Sequence, residues 1–174
     1  FVSQTLTGII ILFLLLVVLF LYFLFRWTDK KRKVGVMAAL AFPILLFLTY
    51  FVGISVDYFK EKDEGAARLP ATENGNPYYH DENSMIENGY KIYTYISYDE
   101  LPSAWGKRSD ISYPEVEATL IRYLNSLGLH KDSAGVAQLS DWDVQNIENG
   151  IANVEYARKF GLRKNLYATF FSLS

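Results

Sequence analysis

The side chains able to move protons or hold ions in this chain are few and widely spaced. There are two histidines, His80 and His130, and no cysteine. Thiolate nucleophiles, disulfides and thiolate metal sites are therefore excluded. Neither histidine has a second histidine or a carboxylate at metal-ligand spacing, and both read as exposed loop residues. Two pairs of acids, Asp99 with Glu100 and Asp141 with Asp143, have the look of general acid–base couples. Each pair also stands where a helix is predicted to start, and acids are stabilising beside the unpaired N–H groups of a first turn. Capping accounts for both pairs without catalysis. No phosphate-cradling glycine loop, dinucleotide fingerprint or nucleophile elbow occurs.

The cations fall into two informative groups. Arg26, Lys30, Lys31, Arg32 and Lys33 crowd around the single acid Asp29. Near the other end, Arg158, Lys159, Arg163 and Lys164 interleave with Tyr156, Phe160, Leu162 and Tyr167. The second group reads equally as a solvated basic helix face or as an amphipathic segment returning to anionic lipid head groups. Nearly all the acids lie between Asp57 and Ser174, which argues against a nucleic-acid surface.

These groups must be positioned by a chain of two very different parts. Phe1 to Phe25 carries no charge, and neither does Val34 to Val56. A hydrocarbon core about 30 Å thick needs roughly 20 apolar residues in a helix, so two membrane spans are predicted; they cover about residues 7–26 and 34–56. Runs such as Ile9 to Leu21 have no polar face, which a buried helix of a soluble protein would keep. A signal peptide is disfavoured by the lack of a basic leader, by the length of the apolar run and by the positive charge that follows it. Short loops rich in Lys and Arg stay cytoplasmic. Residues 26–33 are thus predicted inside, residues 57–174 outside, with Tyr22, Trp27, Tyr50, Tyr58 and Phe59 as interfacial anchors.

Residues 57–88 read as a polar linker rich in turn signals such as Asn74-Gly75-Asn76-Pro77, and residues 89–174 as an extracytoplasmic domain. Alternation from Tyr90 to Ser97 predicts a strand. The spacing Ser97-x-x-Glu100 predicts a capping box and a helix to about Lys107. Pro114 opens a helix whose stripe of Val116, Leu120, Ile121, Tyr123, Leu124 and Leu127 faces a core, with a stop at Gly128. Ser140 caps a helix from Asp141 to about Asn149, and residues 153–174 have a helical pattern. The predicted fold is mainly α: two transmembrane helices in a hairpin, followed by a mostly helical domain with one or few short strands.

The run from Thr119 to Leu129, then Lys131 to Val136, Leu139-Ser140-Asp141 and Ile147 to Asn153, resembles the large periplasmic loop of bacterial O-antigen ligase-like membrane proteins. The resemblance covers about Gly89 to Tyr167. It implies a multi-pass protein of the bacterial inner membrane, which transfers a glycan from a polyprenyl diphosphate carrier to a lipid or sugar acceptor without metal or nucleotide cofactor. The family often has a Ser-Arg-Thr-Gly-like motif, whose arginine is thought to meet the anionic donor, where a span enters from the periplasm. The matching place here reads Ser3-Gln4-Thr5-Leu6-Thr7-Gly8, with Gln4 in the arginine's position. The resemblance thus makes Gln4 and Thr5 candidate substrate contacts, with Arg122, Arg158 and Arg163 as further candidates for holding the carrier. The loop histidine of the family, proposed to activate the acceptor, matches neither His80 nor His130. With its start at Phe1, the chain reads as an internal fragment of such a protein. A two-span membrane-anchored binding or sensory module without catalysis is the other reading.

Overall fold

The computed structural model describes residues 2–26, 30–62, 67–157 and 161–173, of which 2–7, 9, 10, 30, 32, 162, 172 and 173 are described as backbone only. Trp27, Arg158 and Lys159 lie outside the described residues. The described part is mainly helical, with eight helices and one two-stranded hairpin. It divides into two compact units, Phe1–Val56 and Asp57–Ser174.

The first unit holds α1 (Val2–Arg26) and most of α2 (Lys30–Phe59). Within α2, Lys33–Phe59 is long and apolar enough to cross a membrane, while Ile11–Arg26 of α1 forms a shorter apolar helix. Large side chains such as Leu12, Val18, Phe42 and Leu45 are exposed, so the hydrophobic surface of these helices is not consumed by a protein core. The rings of Phe13 and Phe47 meet at 4.8 Å. Pro43 lies inside α2, where it withholds one backbone donor.

The second unit is built around α4 (Tyr113–Ser126). Pro114 sits in its first turn, where a missing N–H costs nothing. The predicted stripe packs inward: Val116, Leu120, Ile121, Tyr123 and Leu124 join Leu101 and Trp105 of α3 (Leu101–Trp105), Val136 of α5 (Ser133–Ala137), and Val144 and Ile147 of α6 (Asp141–Glu148) in one core. Leu127 does not belong to it. It stands at the C-cap, where the chain turns away from the core, and is 37% exposed. Helix α6 starts as predicted, with Ser140 Oγ accepting from the Asp143 amide and the Asp143 carboxylate accepting from the Ser140 amide.

Two local expectations are corrected. The predicted strand from Tyr90 to Ser97 is only Tyr90–Lys91 (β2), paired antiparallel with Ile86–Glu87 (β1). The chain leaves the ladder in a turn directly after Lys91, with Thr94 Oγ1 donating to the Lys91 carbonyl at 3.0 Å, and Tyr95 then adopts φ 54°, a left-handed conformation rare for a bulky residue. Beyond that kink Ile96 bridges separately to Tyr79 and Lys131. The Ser97–Glu100 capping box is also absent: α3 has no side-chain cap, because the Glu100 carboxylate is bonded to Thr72, Asn76 and Ser133. Among the described residues after 152 there are two helices, α7 (Val154–Ala157) and α8 (Leu162–Leu173). Residues 67–85, irregular in backbone, are bonded to the rest of the unit, for instance through the Lys91–Glu82 ion pair and the Tyr79–Ile96 bridge.

Leu124 is fully buried at the centre of this core. Leu124→Ala should lower the unfolding free energy of the second unit by about 2–5 kcal/mol, whereas Leu127→Ala should change it by less than about 0.5 kcal/mol. Urea titration followed by tryptophan fluorescence measures both; equal losses would mean that the C-cap is core after all.

Candidate functional site

The candidate carrier contacts are distributed across the chain. Gln4 and Thr5 lie in α1, with their side chains outside the description, and Arg158 lies outside the described residues. Arg163 on α8 donates to the Tyr167 hydroxyl at 2.8 Å and pairs with Glu155 and Asp57, each at 3.7 Å. Arg122 is fixed more firmly. Its Nε and one Nη donate to the two carboxylate oxygens of Glu87 at 3.1 and 3.0 Å, and its guanidinium lies 3.7 Å from the Phe171 ring centre. The side chains of Arg122 and Arg163 are thus both engaged by carboxylates and aromatic rings of the second unit.

Glu87 is wholly buried. Besides Arg122, it accepts from Asn153 Nδ2 at 2.7 Å and from the Tyr156 hydroxyl at 3.3 Å. The hairpin reaches this position through Asn88 and Gly89, at φ 57° and 85°, the two left-handed residues that a tight Asn-Gly turn requires. Asn125 of α4 secures the turn from the other side, donating to the backbone oxygens of Glu87 and Tyr90 at 3.1 and 3.2 Å. Its own oxygen accepts from the buried Lys131 ammonium at 2.7 Å. Arg122→Met would strand the Glu87 carboxylate and should cost about 3–5 kcal/mol, while Glu87→Gln combined with Arg122→Met should recover much of that loss. A double-mutant cycle in urea tests it; additive losses would show that the two residues act independently.

Beside this framework the chain brings together groups that are far apart in sequence. Tyr95 stacks on His130, ring centres 4.3 Å apart and planes 9° from parallel. Tyr78 stands edge-on to both, at 5.6 Å from each, and His80 meets Tyr95 edge-on at 4.8 Å. The Tyr78 hydroxyl donates to the Asp132 carboxylate and lies 3.3 Å from His130 Nδ1. Since the single phenolic proton serves Asp132, His130 Nδ1 meets the phenolic oxygen as a donor. Burial, and then the bond to Asp132, push the Tyr78 phenol well above its ordinary pKa, so it stays protonated.

Asp132 is also the N-cap of α5, accepting from the Gly135 amide at 2.7 Å. Position 135 admits only glycine, because a Cβ there would fall 1.9 Å from the His130 carbonyl oxygen. This close approach shapes one wall of a cleft of about 510 Å³ lined by Leu69, Tyr78, Leu129, His130, Asp132 and Gln138 among others. Behind the cleft wall, Glu100 accepts from Thr72 Oγ1 at 2.5 Å, Asn76 Nδ2 at 2.9 Å, and the Ser133 amide and hydroxyl at 3.0 and 2.5 Å. Burial alone would raise its pKa; the donors outweigh it and bring the carboxyl down to about 2.

A depressed carboxylate pKa gives stability that is present above the unfolded value and lost as pH falls toward the folded one. Between the ordinary 4.5 and about 2, the second unit should lose stability progressively, and Glu100→Gln should flatten that part of the profile. Melting temperature against pH for both forms is the measurement; parallel profiles would contradict it.

The sequence offered little sign of this cluster. Asp132 could have been suspected as an N-cap from Asp132-Ser133-Ala134-Gly135, and His130 and Asp132 share one side of an extended segment. Nothing local points to Tyr78, more than fifty positions away. Among the described residues, no three His, Asp or Glu side chains gather to hold a metal. Comparison with protein-family models, curated proteins and solved structures finds no match to this chain.

Proposed function

We propose that this chain is part of a multi-pass glycan ligase or polymerase of the bacterial inner membrane, moving a glycan from a polyprenyl diphosphate carrier to a lipid or sugar acceptor. The observation that carries the reading is the run from Thr119 to Asn153, the most specific part of the resemblance. It forms α4, α5 and α6 of a unit that follows in sequence on an apolar helix of membrane-spanning length. In this reading α1 and α2 are adjacent spans, the basic connector at residues 26–33 is cytoplasmic, and residues 57–174 are periplasmic. The positive-inside bias of short loops supports that orientation.

Phosphoryl-linked donors need cations where negative charge develops on the leaving group, and acceptor activation needs a base in reach. Arg122 and Arg163 are held by internal carboxylates, so they do not supply the first. Residues 1–174 reconstituted in lipid should therefore transfer no glycan, while the product of the complete gene should transfer it from polyprenyl-diphosphate oligosaccharide to lipid acceptor. A complete gene product that releases no carrier and extends no acceptor would refute the ligase reading and favour a membrane-anchored binding module.

A further inference from the structure

Several tyrosines of the second unit gather on one part of its surface. Segments 78–81 and 93–98 run antiparallel: the Tyr79 amide donates to the Ile96 carbonyl at 2.7 Å, the Ile96 amide donates back to the Tyr79 carbonyl at 3.2 Å, and the Asp81 amide donates to the Tyr93 carbonyl at 2.7 Å. This pairing holds Tyr79 beside Tyr98, ring centres 5.8 Å apart and planes 53° from parallel, so the two rings form an open wedge. Tyr79, Tyr93 and Tyr98 are each between 37% and 49% exposed, which leaves ring surface free for a ligand. The start of α4 borders the group, with Tyr113 partly buried against the core and Glu117 one turn further along the same helix face. Among the described residues, the charges that bear on the Tyr98 phenol come from Glu117, Tyr79 and Tyr93, and those that bear on Tyr113 come from Glu117 and Tyr98, with no cation in either set. Burial first, and then Glu117, hold both phenols above their ordinary pKa, so the rings stay neutral. Among the described residues Glu117 is paired with no lysine or arginine, unlike Glu61, Glu82, Glu87 and Glu155.

We propose that this face binds an alkylated ammonium ion, its charged head lodged in the Tyr79–Tyr98 wedge, with Glu117 as counter-charge and Tyr93 and Tyr113 as the flanking rings. A neutral aromatic ring has a negative face, and a cation set over it is attracted by the ring quadrupole. Hard metal ions are poorly served here, because calcium takes about 6–8 oxygen ligands and the group supplies a single carboxylate. An anion would be repelled by Glu117 and would meet no counter-charge. A quaternary ammonium ion makes the fitting demand: its charge is spread over methyl groups that cannot donate hydrogen bonds, so ring faces and one nearby negative charge replace its water at little cost. The site requires neither the proposed transfer reaction nor its substrates.

The whole chain, labelled with ring-¹³C tyrosine and held in dodecyl maltoside micelles, which carry no ammonium group, is titrated with choline at constant ionic strength. The neutral isostere 3,3-dimethyl-1-butanol is titrated in parallel, and Tyr79→Phe and Tyr98→Phe assign the two ring signals. Choline should shift both signals saturably, and the isostere should bind at least about fivefold more weakly. Tyr98→Leu removes one ring face and should weaken choline binding about two- to fivefold, whereas Tyr98→Phe keeps the face and should retain it. Glu117→Gln should narrow the gap between choline and isostere at an unchanged melting temperature. Phosphocholine separates the sources of the ligand: binding as tight as that of choline means that a lipid-type head group fits, and binding at least about fivefold weaker means that only the free cation does. Both of those results uphold the site. No saturable response to choline, an isostere bound as tightly as choline, or a gap left unchanged by Glu117→Gln would overturn the proposal.

Discussion

A buried carboxylate has to be surrounded by donors, because leaving it unpaired away from water costs more than a single contact returns. Glu87 imposes that requirement on the second unit. Its partners come from α4 (Arg122), from the residue before α7 (Asn153) and from α7 itself (Tyr156). Each partner reaches Glu87 only if its own element is in place. Asn153 also bonds to Asn88, and Asn125 grips the hairpin backbone while accepting from Lys131. The β1–β2 turn, the long helix and the segment leading into His130 are thereby indexed to one another. Removing the charge and its arginine together would leave the core contacts intact, so the carboxylate chooses the arrangement more than it supplies the stability.

From that frame the chain proceeds to Tyr95, whose left-handed backbone costs of order 1–3 kcal/mol. The contacts around it explain why the conformation persists. Its amide donates to His80 Nδ1 at 3.2 Å, its carbonyl accepts from the Lys131 amide at 2.8 Å, and its ring is packed by Tyr78, His80 and His130. The strand has already ended at Lys91, and the left-handed residue at Tyr95 redirects the segment just before Ile96, with ring 95 stacked over His130. Strain in one residue and order in the cleft wall are two sides of the same packing.

The contrast with what the sequence discloses follows from the range of these interactions. Helices α4 and α6 could be read because their causes are local: a proline or serine at the start, an apolar stripe at helical spacing, a glycine at the end. Leu127 matched that stripe and still proved exposed, since periodicity does not say where the last turn leaves the core. The Asn88-Gly89 turn was legible in principle, as a short-range hairpin signal. The Glu87–Arg122 pair, the Glu100 cluster and the Tyr78–Asp132 bond join positions 35, 33 and 54 residues apart. Such pairs leave no spacing rule to find. Of the site residues, the two histidines were visible as isolated side chains, and their being brought together was not.

The same accounting bears on how charge is used. Every described arginine of the second unit is engaged within it: Arg68 by Glu61 and Glu82, Arg108 by the carbonyls of Val136 and Leu139 and by Asp141, Arg122 by Glu87, and Arg163 by Glu155 and Asp57. A guanidinium held in this way organises protein and has less to give a phosphate. Glu100 and Asp132, in turn, are satisfied by internal donors and hold the loops that border the cleft. Ionic groups here thus set the architecture of the second unit: the carboxylates and guanidiniums that join its segments are spent on one another and on backbone groups, not left for a soluble ion.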